Sequence, residues 1–277
     1  MDDITDIREM YNANWDKEDD RLLRHQLEYD ITWRYLEKYL PPPGANILEI
    51  GAATGRYTME LARRGYNVLA IDIAEELVAR GKARIDDLGL GSRVEFRVGD
   101  IRTCGDLPES SFDAALVMGP LYHLVLQEDR ELVLNRVFKF LKPGGIVFSA
   151  WISRFGIFGD NMKKMPDLVF KKEIVSSVLE YGCDREWNRC RKDGFRGYYA
   201  KADEIAPIHE EAGFRRLVVA GVEPAISADD ASYNCLEGER RQLWLDLLFK
   251  LSAEPGMVAS SRHMLYIGEK PKNGGQQ

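Results

Sequence analysis

Cysteine is scarce in this 277-residue chain. Cys104, Cys183, Cys190 and Cys235 are the four, with no Cys-x-x-Cys pair and no matching histidine spacing. Neither a zinc site nor a disulfide framework is indicated, and reduced thiols are expected. Excess positive charge is missing too. Lys and Arg number 38 against 45 Asp and Glu, a formal net charge of −7. That balance argues against an electrostatic footprint for nucleic acid or an anionic membrane surface. Long apolar runs are absent: the most apolar segment, residues 114–127, is too short to span a bilayer and contains Gly119, Pro120 and His123. Residues 1–10 carry Asp2, Asp3 and Asp6 with no basic start, so they do not read as a secretory signal. The expectation is a cytoplasmic protein without nucleic-acid or membrane partners. The 45% of hydrophobic residues suffices for a full core.

Residues 4–40 read mainly as helix, with Leu22, Leu23, Leu27, Ile31, Trp33 and Leu36 at roughly helical spacing. Pro41-Pro42-Pro43-Gly44 stops it. Strands are then predicted at 46–50, 67–71, 94–98, 114–118 and 146–151, with helices at 56–64, 74–88 and 129–141. Strand and helix alternating on this scale imply a parallel α/β sheet with right-handed crossovers. Residues 153–200 break the rhythm, show no clear strand and read as an insertion. A helix at 202–212, a strand at 215–222, a helical insert at 235–251 and a last strand at 263–269 follow, ending in a polar tail.

The most informative run is ILEIGAATGRYT, Ile47 to Thr58, a buried strand entering a glycine-containing turn and then a helix. Gly51 and Gly55 allow a sharp turn and close approach of a ligand to the backbone. A dinucleotide site needs G-x-G-x-x-G, but Ala53 and Arg56 occupy its second and third glycine positions. A P-loop is excluded by the missing Gly-Lys-Ser/Thr. Glu49, two residues before Gly51, suits a cation better than a pyrophosphate.

The run E-x-G-x-x-x-G at Glu49 to Gly55, Asp72 after the second strand and Asp100-Ile101 after the third resemble class I S-adenosylmethionine-dependent methyltransferases. FDAALVMGPLYHL (112–124) and LKPGGIVF (141–148) resemble that family's fourth- and fifth-strand signatures, and GPLYHL with RLLRHQLEY (21–29) resembles a subgroup of it. The resemblance implies a Rossmann-like three-layer sandwich with a seven-stranded, mostly parallel sheet of order 3-2-1-4-5-7-6. It also implies an N-terminal helical lid over residues 1–43, a methyltransferase domain over 44–277, and cap insertions at about 153–200 and 225–262. S-adenosyl-L-methionine is the implied cofactor. Glu49 would lie near its methionine part, with Gly51, Ala53 and Gly55 shaping the loop. Asp72 would take the ribose hydroxyls and Asp100 would sit near the adenine amino group. Ile73 and Ile101 would wall the ring, and Met118 would close the strand edge beneath the sulfonium. Ala53 departs from the family, which commonly has glycine there.

Where the acceptor of a methyl group is protonated, a general base helps. His123 and Tyr122, just after the fourth strand, are the catalytic candidates, with scaffold roles as the competing reading. Tyr11, His25, Arg196 and His263 are candidate substrate residues, and no metal ligands are expected. His209, beside Glu210 and Glu211, is expected at the surface. Trp187, Phe195, Tyr198 and Tyr199 with Arg185, Arg189, Arg191 and Arg196 form a basic and aromatic mixture that suits an acidic or planar acceptor, or equally a packed cap. A small-molecule acceptor is preferred. A protein or nucleic-acid methyltransferase and a non-catalytic binding protein are the alternatives.

Overall fold

A computed structural model describes residues 1–19, 21–105, 107–183, 196–226 and 229–272. The N-terminal region forms α1 (Thr5–Ala13), α2 (Trp15–Asp19), α3 (Arg21–Arg24) and α4 (Gln26–Tyr39). The region is mainly helical, as expected, but in separate pieces. At His25 the cause is tertiary: its ring lies 2.9 Å from both Asp230 and Arg262, a pairing that a continuous helix does not have to accommodate.

Then come β1 (Asn46–Ile50), α5 (Arg56–Arg63), β2 (Asn67–Asp72), α6 (Glu75–Asp87), β3 (Val94–Val98), β4 (Phe112–Val117), α7 (Gln127–Phe140) and β5 (Leu141–Ser153). The cap contributes α8 (Ile157–Lys164), a 3-10 turn (Pro166–Phe170), α9 (Lys172–Tyr181) and the short β6 (Tyr199–Ala200). The chain finishes with α10 (Ala202–Glu211), β7 (Arg215–Gly221), α11 (Asp230–Asn234), α12 (Gly238–Leu251), α13 (Pro255–Ser260) and β8 (His263–Glu269).

The sheet runs β3-β2-β1-β4-β5-β8-β7. Strands β1 to β5 are mutually parallel, and β8 is antiparallel to both β5 and β7. This is the expected order plus an eighth strand, since Tyr199–Ala200 pairs with Ile152–Ser153. Two residues are too few to show alternation in a sequence.

Alternation builds the layers. Ile47, Ala114 and Leu116 face the side covered by α4 and α5, where they meet Leu27, Ile31, Leu36 and Leu61. Leu48, Ile50, Ala115 and Val117 face the side where Val133, Leu134 and Val137 of α7 pack. Each buried Leu, Ile or Val among them stabilises the fold by about 1.5–3 kcal/mol. Helix α4 is thus part of the core, and α1 to α3 are the cover. No helix among the described residues is long and apolar enough to cross a membrane.

Candidate active site

Parallel strands bring the turns after β1, β2, β3 and β4 to one edge of the sheet, where ligands of open α/β sheets bind. Gly51 and Gly55 have φ of 75° and 85°. A Cβ on Gly51 would lie 3.0 Å from Cδ of Pro120 and 3.2 Å from Cα of Gly119, so the turns after β1 and β4 meet almost backbone to backbone. Ala53 is also left-handed, with φ of 49°. A side chain there costs about 1–2 kcal/mol, which is the physical reason for glycine at this position. Its N–H donates to Asp72 Oδ2 at 2.8 Å, while Asp72 Oδ1 accepts from Ala74 N–H at 2.9 Å. Asp72 therefore fixes the turns after both β1 and β2. Burial pushes its pKa up to about 6, opposed by these amides and reinforced by Glu18.

These turns line a cavity of about 80 Å³. In strand order, Gly99, Asp100 and Ile101 follow β3, Asp72 and Ile73 follow β2, Gly51 and Ala53 follow β1, and Met118, Tyr122 and His123 follow β4. The N-terminal cover adds Ile4, Ile7, Tyr11 and Glu18. Seven of the nine expected cofactor residues line this space. Gly55 does not, and serves the turn. Glu49 does not either: it is buried and accepts the Thr58 hydroxyl, and burial pushes its pKa up to about 8.

Among the described residues the lining carries three carboxylates, Glu18, Asp72 and Asp100, and no Lys or Arg. Asp100 is clasped by Arg102 at 2.7 Å, and Arg102 also reaches Asp129 at 2.8 Å and the Asp2 carbonyl at 2.9 Å. Glu18 has no hydrogen-bonding or ion-pairing side-chain partner among the described residues. Burial raises its pKa, and Arg21, whose guanidinium lies on Glu28 at 2.7 Å, opposes that rise. Glu18 and Arg102 escaped the sequence reading. Arg102 stands two residues from Asp100, a spacing that carries no distinctive signal, and Glu18 is one acid among many in the N-terminal region.

His123 is buried between two partners. Its Nδ1 lies 2.9 Å from the Arg196 carbonyl, which fixes the proton on Nδ1, and its Nε2 lies 2.7 Å from the Tyr11 hydroxyl, which then donates. Burial lowers its pKa to about 4, so the ring is neutral at pH 7. The Tyr122 hydroxyl is directed at the Met118 carbonyl, 3.3 Å away, and burial holds its pKa above the usual phenol value.

The other candidate substrate residues lie elsewhere. Arg196 does not line the cavity. It is buried on the Asp3 carbonyl and the carboxylates of Asp2 and Asp6, an anchor for the N-terminal cover. His25 and His263 also lie off the cavity, in a buried ionic cluster. His263 Nδ1 is 2.9 Å from Glu223, and Arg262 is 2.6 Å from the same carboxylate. Glu28, Glu223 and His263 bring ligand-type atoms within 4.8 Å of one another, but Arg21 and Arg262 already neutralise the carboxylates.

His209 is fully buried, correcting the expectation of a surface position. Its Nδ1 donates to the Ile205 carbonyl at 2.7 Å and its Nε2 accepts from Ser149 at 2.7 Å, while the neighbouring acids point outward. In the cap, Tyr198 lies beneath Arg130, 3.6 Å from ring centroid to guanidinium, and donates to Glu204 at 2.7 Å, so these residues pack. Arg185, Trp187, Arg189, Cys190, Arg191 and Phe195 lie outside the described residues. Cys104 and Cys235 are free thiols.

Residues 47–145 match the family model described as a methyltransferase domain. A ubiquinone biosynthesis O-methyltransferase from Xanthomonas axonopodis pv. citri is 32% identical over 143 residues, 52% of this chain and 57% of that protein. The chain thus spans little more than half the length of this curated relative. A structure of an S-adenosylmethionine-dependent methyltransferase from Methanosarcina mazei superposes with a TM-score of 0.57 at 19% identity, covering 86% of this chain and 98% of the other. A putative methyltransferase from Haloferax volcanii, solved with its activator, reaches 0.61 at 15% identity over 97% and 99%. At these identities the shared property is the fold. Residues 47–145 are thus similar to methyltransferase domains, and the fold is that of the solved methyltransferases.

Proposed function

We propose that the chain is an S-adenosylmethionine-dependent methyltransferase acting on a small-molecule acceptor, with the cavity above β1 to β4 as its cofactor site. The observation that carries this reading is the lining: three carboxylates, no Lys or Arg, and apolar walls at one end. A dinucleotide's pyrophosphate would meet the carboxylates of Glu18 and Asp72 there, whereas a sulfonium and an ammonium are favoured. The fit extends to the nucleoside. Asp72 would accept the ribose hydroxyls, and Ile73 and Ile101 would hold the adenine ring near Asp100. When bound, S-adenosylmethionine would supply a methyl group to an acceptor aligned opposite its sulfur, the methyl–sulfur bond breaking as the acceptor–methyl bond forms and S-adenosylhomocysteine leaving.

The chain's own residues handle the proton. His123, held neutral with its proton on Nδ1, presents its basic Nε2 to Tyr11. A proton leaving an acceptor oxygen passes to the Tyr11 hydroxyl as that hydroxyl's own proton moves to Nε2. The cover formed by α1 and α2 shields this step from water. The curated relative's name points to oxygen as the acceptor atom. Calorimetry is the test. Micromolar binding of both S-adenosylmethionine and S-adenosylhomocysteine is expected, and failure to bind either one removes the reading.

A further inference from the structure

The cap between β5 and β6 concentrates exposed apolar surface. Of the fourteen exposed large hydrophobic residues among the described ones, seven fall between Phe155 and Tyr181. Met162, Met165, Val169 and Phe170 are 76%, 47%, 65% and 80% exposed, well beyond the scattered apolar exposure of ordinary surfaces. Residues 162–172 also contain Lys163, Lys164, Lys171 and Lys172 against the single acid Asp167, in a chain of net charge −7. All four lysines are exposed, and Lys164 pairs with Asp160 at 3.0 Å, which leaves Lys171 and Lys172 as the main charge of the hairpin. Apolar tips and basic residues thus share one short helical hairpin.

The hairpin stands on a firm base. Asp160 of α8 reaches Arg262 at 3.2 Å, and a Cβ on Gly156 would collide with the Ser261 carbonyl. Because α8 follows the carboxyl end of β5, the patch lies at the sheet edge that holds the cavity.

We propose that this hairpin docks on an anionic lipid surface, with Met162, Met165, Val169 and Phe170 entering the headgroup boundary and the lysines facing acidic headgroups. A bilayer offers apolar depth and negative charge together. A second copy of this chain is the poorer occupant, because a symmetric contact would set the four lysines against their own counterparts. This inference is independent of the chemistry proposed for the cavity.

The test is flotation of the full chain with phosphatidylcholine vesicles, with and without about one third phosphatidylglycerol. Flotation only with the mixed vesicles is expected, weakening as salt is raised. Val169→Asp with Phe170→Asp, and separately Lys171→Glu with Lys172→Glu, should each weaken it by about tenfold or more. Circular dichroism and S-adenosylhomocysteine affinity, each unchanged from the parent chain, verify that the variants are folded. No flotation with mixed vesicles, or flotation untouched by both double variants, would overturn the proposal. So would concentration-dependent dimerisation in sedimentation velocity that Val169→Asp with Phe170→Asp abolishes, if flotation is absent.

Discussion

The Tyr11 hydroxyl lies 2.7 Å from Nε2 of His123, joining α1 of the N-terminal cover to the turn after β4. The contact makes the only basic nitrogen of His123 accessible through a residue of the cover. Tyr11→Phe keeps the ring and removes the relay. Turnover should fall about a hundredfold, while affinity for S-adenosylhomocysteine stays within about threefold. Because burial lowers the His123 pKa to about 4, the acid limb of kcat should lie well below pH 6.5. A pH–rate profile with paired calorimetry checks both. Equal losses of turnover and affinity would make the contact structural.

His209 gives a stability prediction with a defined sign. Its folded pKa is lowered to about 3 by burial, against about 6.5 unfolded. Between these values the unfolded chain binds a proton that the folded chain does not, so this histidine's contribution to stability is lost as pH falls below about 6.5. Each such group contributes a slope of about 1.4 kcal/mol per pH unit. His209→Gln stays neutral and should flatten the decline between pH 6 and pH 4 by roughly that slope, as measured by urea denaturation. An unchanged slope would show that His209 is protonated or exposed in the folded chain.

Asp72→Asn tests the joint between the turns after β1 and β2. The amide keeps one acceptor oxygen, so one of the contacts to Ala53 and Ala74 is lost together with the charge. Affinity for both S-adenosylmethionine and S-adenosylhomocysteine should fall by about 1.5–3 kcal/mol, since both carry the ribose. Unchanged calorimetric affinities would place the ribose elsewhere.

The sheet was legible because its signals are local. Short apolar runs such as Ile47 to Ile50, here followed by Gly51 and Gly55 at left-handed positions, mark a strand and its turn without distant contacts. Asp72 and Asp100 entered as candidates through the resemblance, and both line the cavity at the carboxyl ends of strands. What escaped is long-range in sequence. Arg196 is bound by acids about 190 residues earlier, His209 by a serine 60 residues away, and the break at His25 by Asp230 and Arg262. Helical periodicity cannot encode such pairings. Ala53 is intermediate: its departure from glycine was visible, and its positive φ shows what that departure strains.

Glu18→Gln separates charge from shape in the cavity. S-adenosylmethionine carries a sulfonium charge that S-adenosylhomocysteine lacks, and both carry an ammonium. Removing one nearby carboxylate charge should weaken both ligands, and should weaken the sulfonium by about 1 kcal/mol more. Calorimetry at low ionic strength resolves the difference. Identical losses would show that Glu18 acts on the ammonium alone, and no loss would place its carboxylate away from the bound cofactor.

Arg196 ties the cover down. Its guanidinium meets the carboxylates of Asp2 and Asp6 and the Asp3 carbonyl, while Arg102 holds the Asp2 carbonyl from the other side. Ile4, Ile7 and Tyr11 reach the cavity only while this segment stays in place. Arg196→Met keeps much of the buried stem and removes the donors, so the segment loses charge-assisted bonds worth about 1.5–3 kcal/mol each. Amide exchange over residues 1–13 should accelerate by tenfold or more, with the core strands unchanged. S-adenosylhomocysteine binding should weaken, and saturating ligand should restore part of the protection, because a ligand beneath the cover favours the closed state. Arg8→Ala, on the exposed side of α1, is the control and should leave exchange nearly unaltered. Equal effects from the two substitutions would mean that loss of positive charge near the N-terminus, and not this anchor, holds the cover closed.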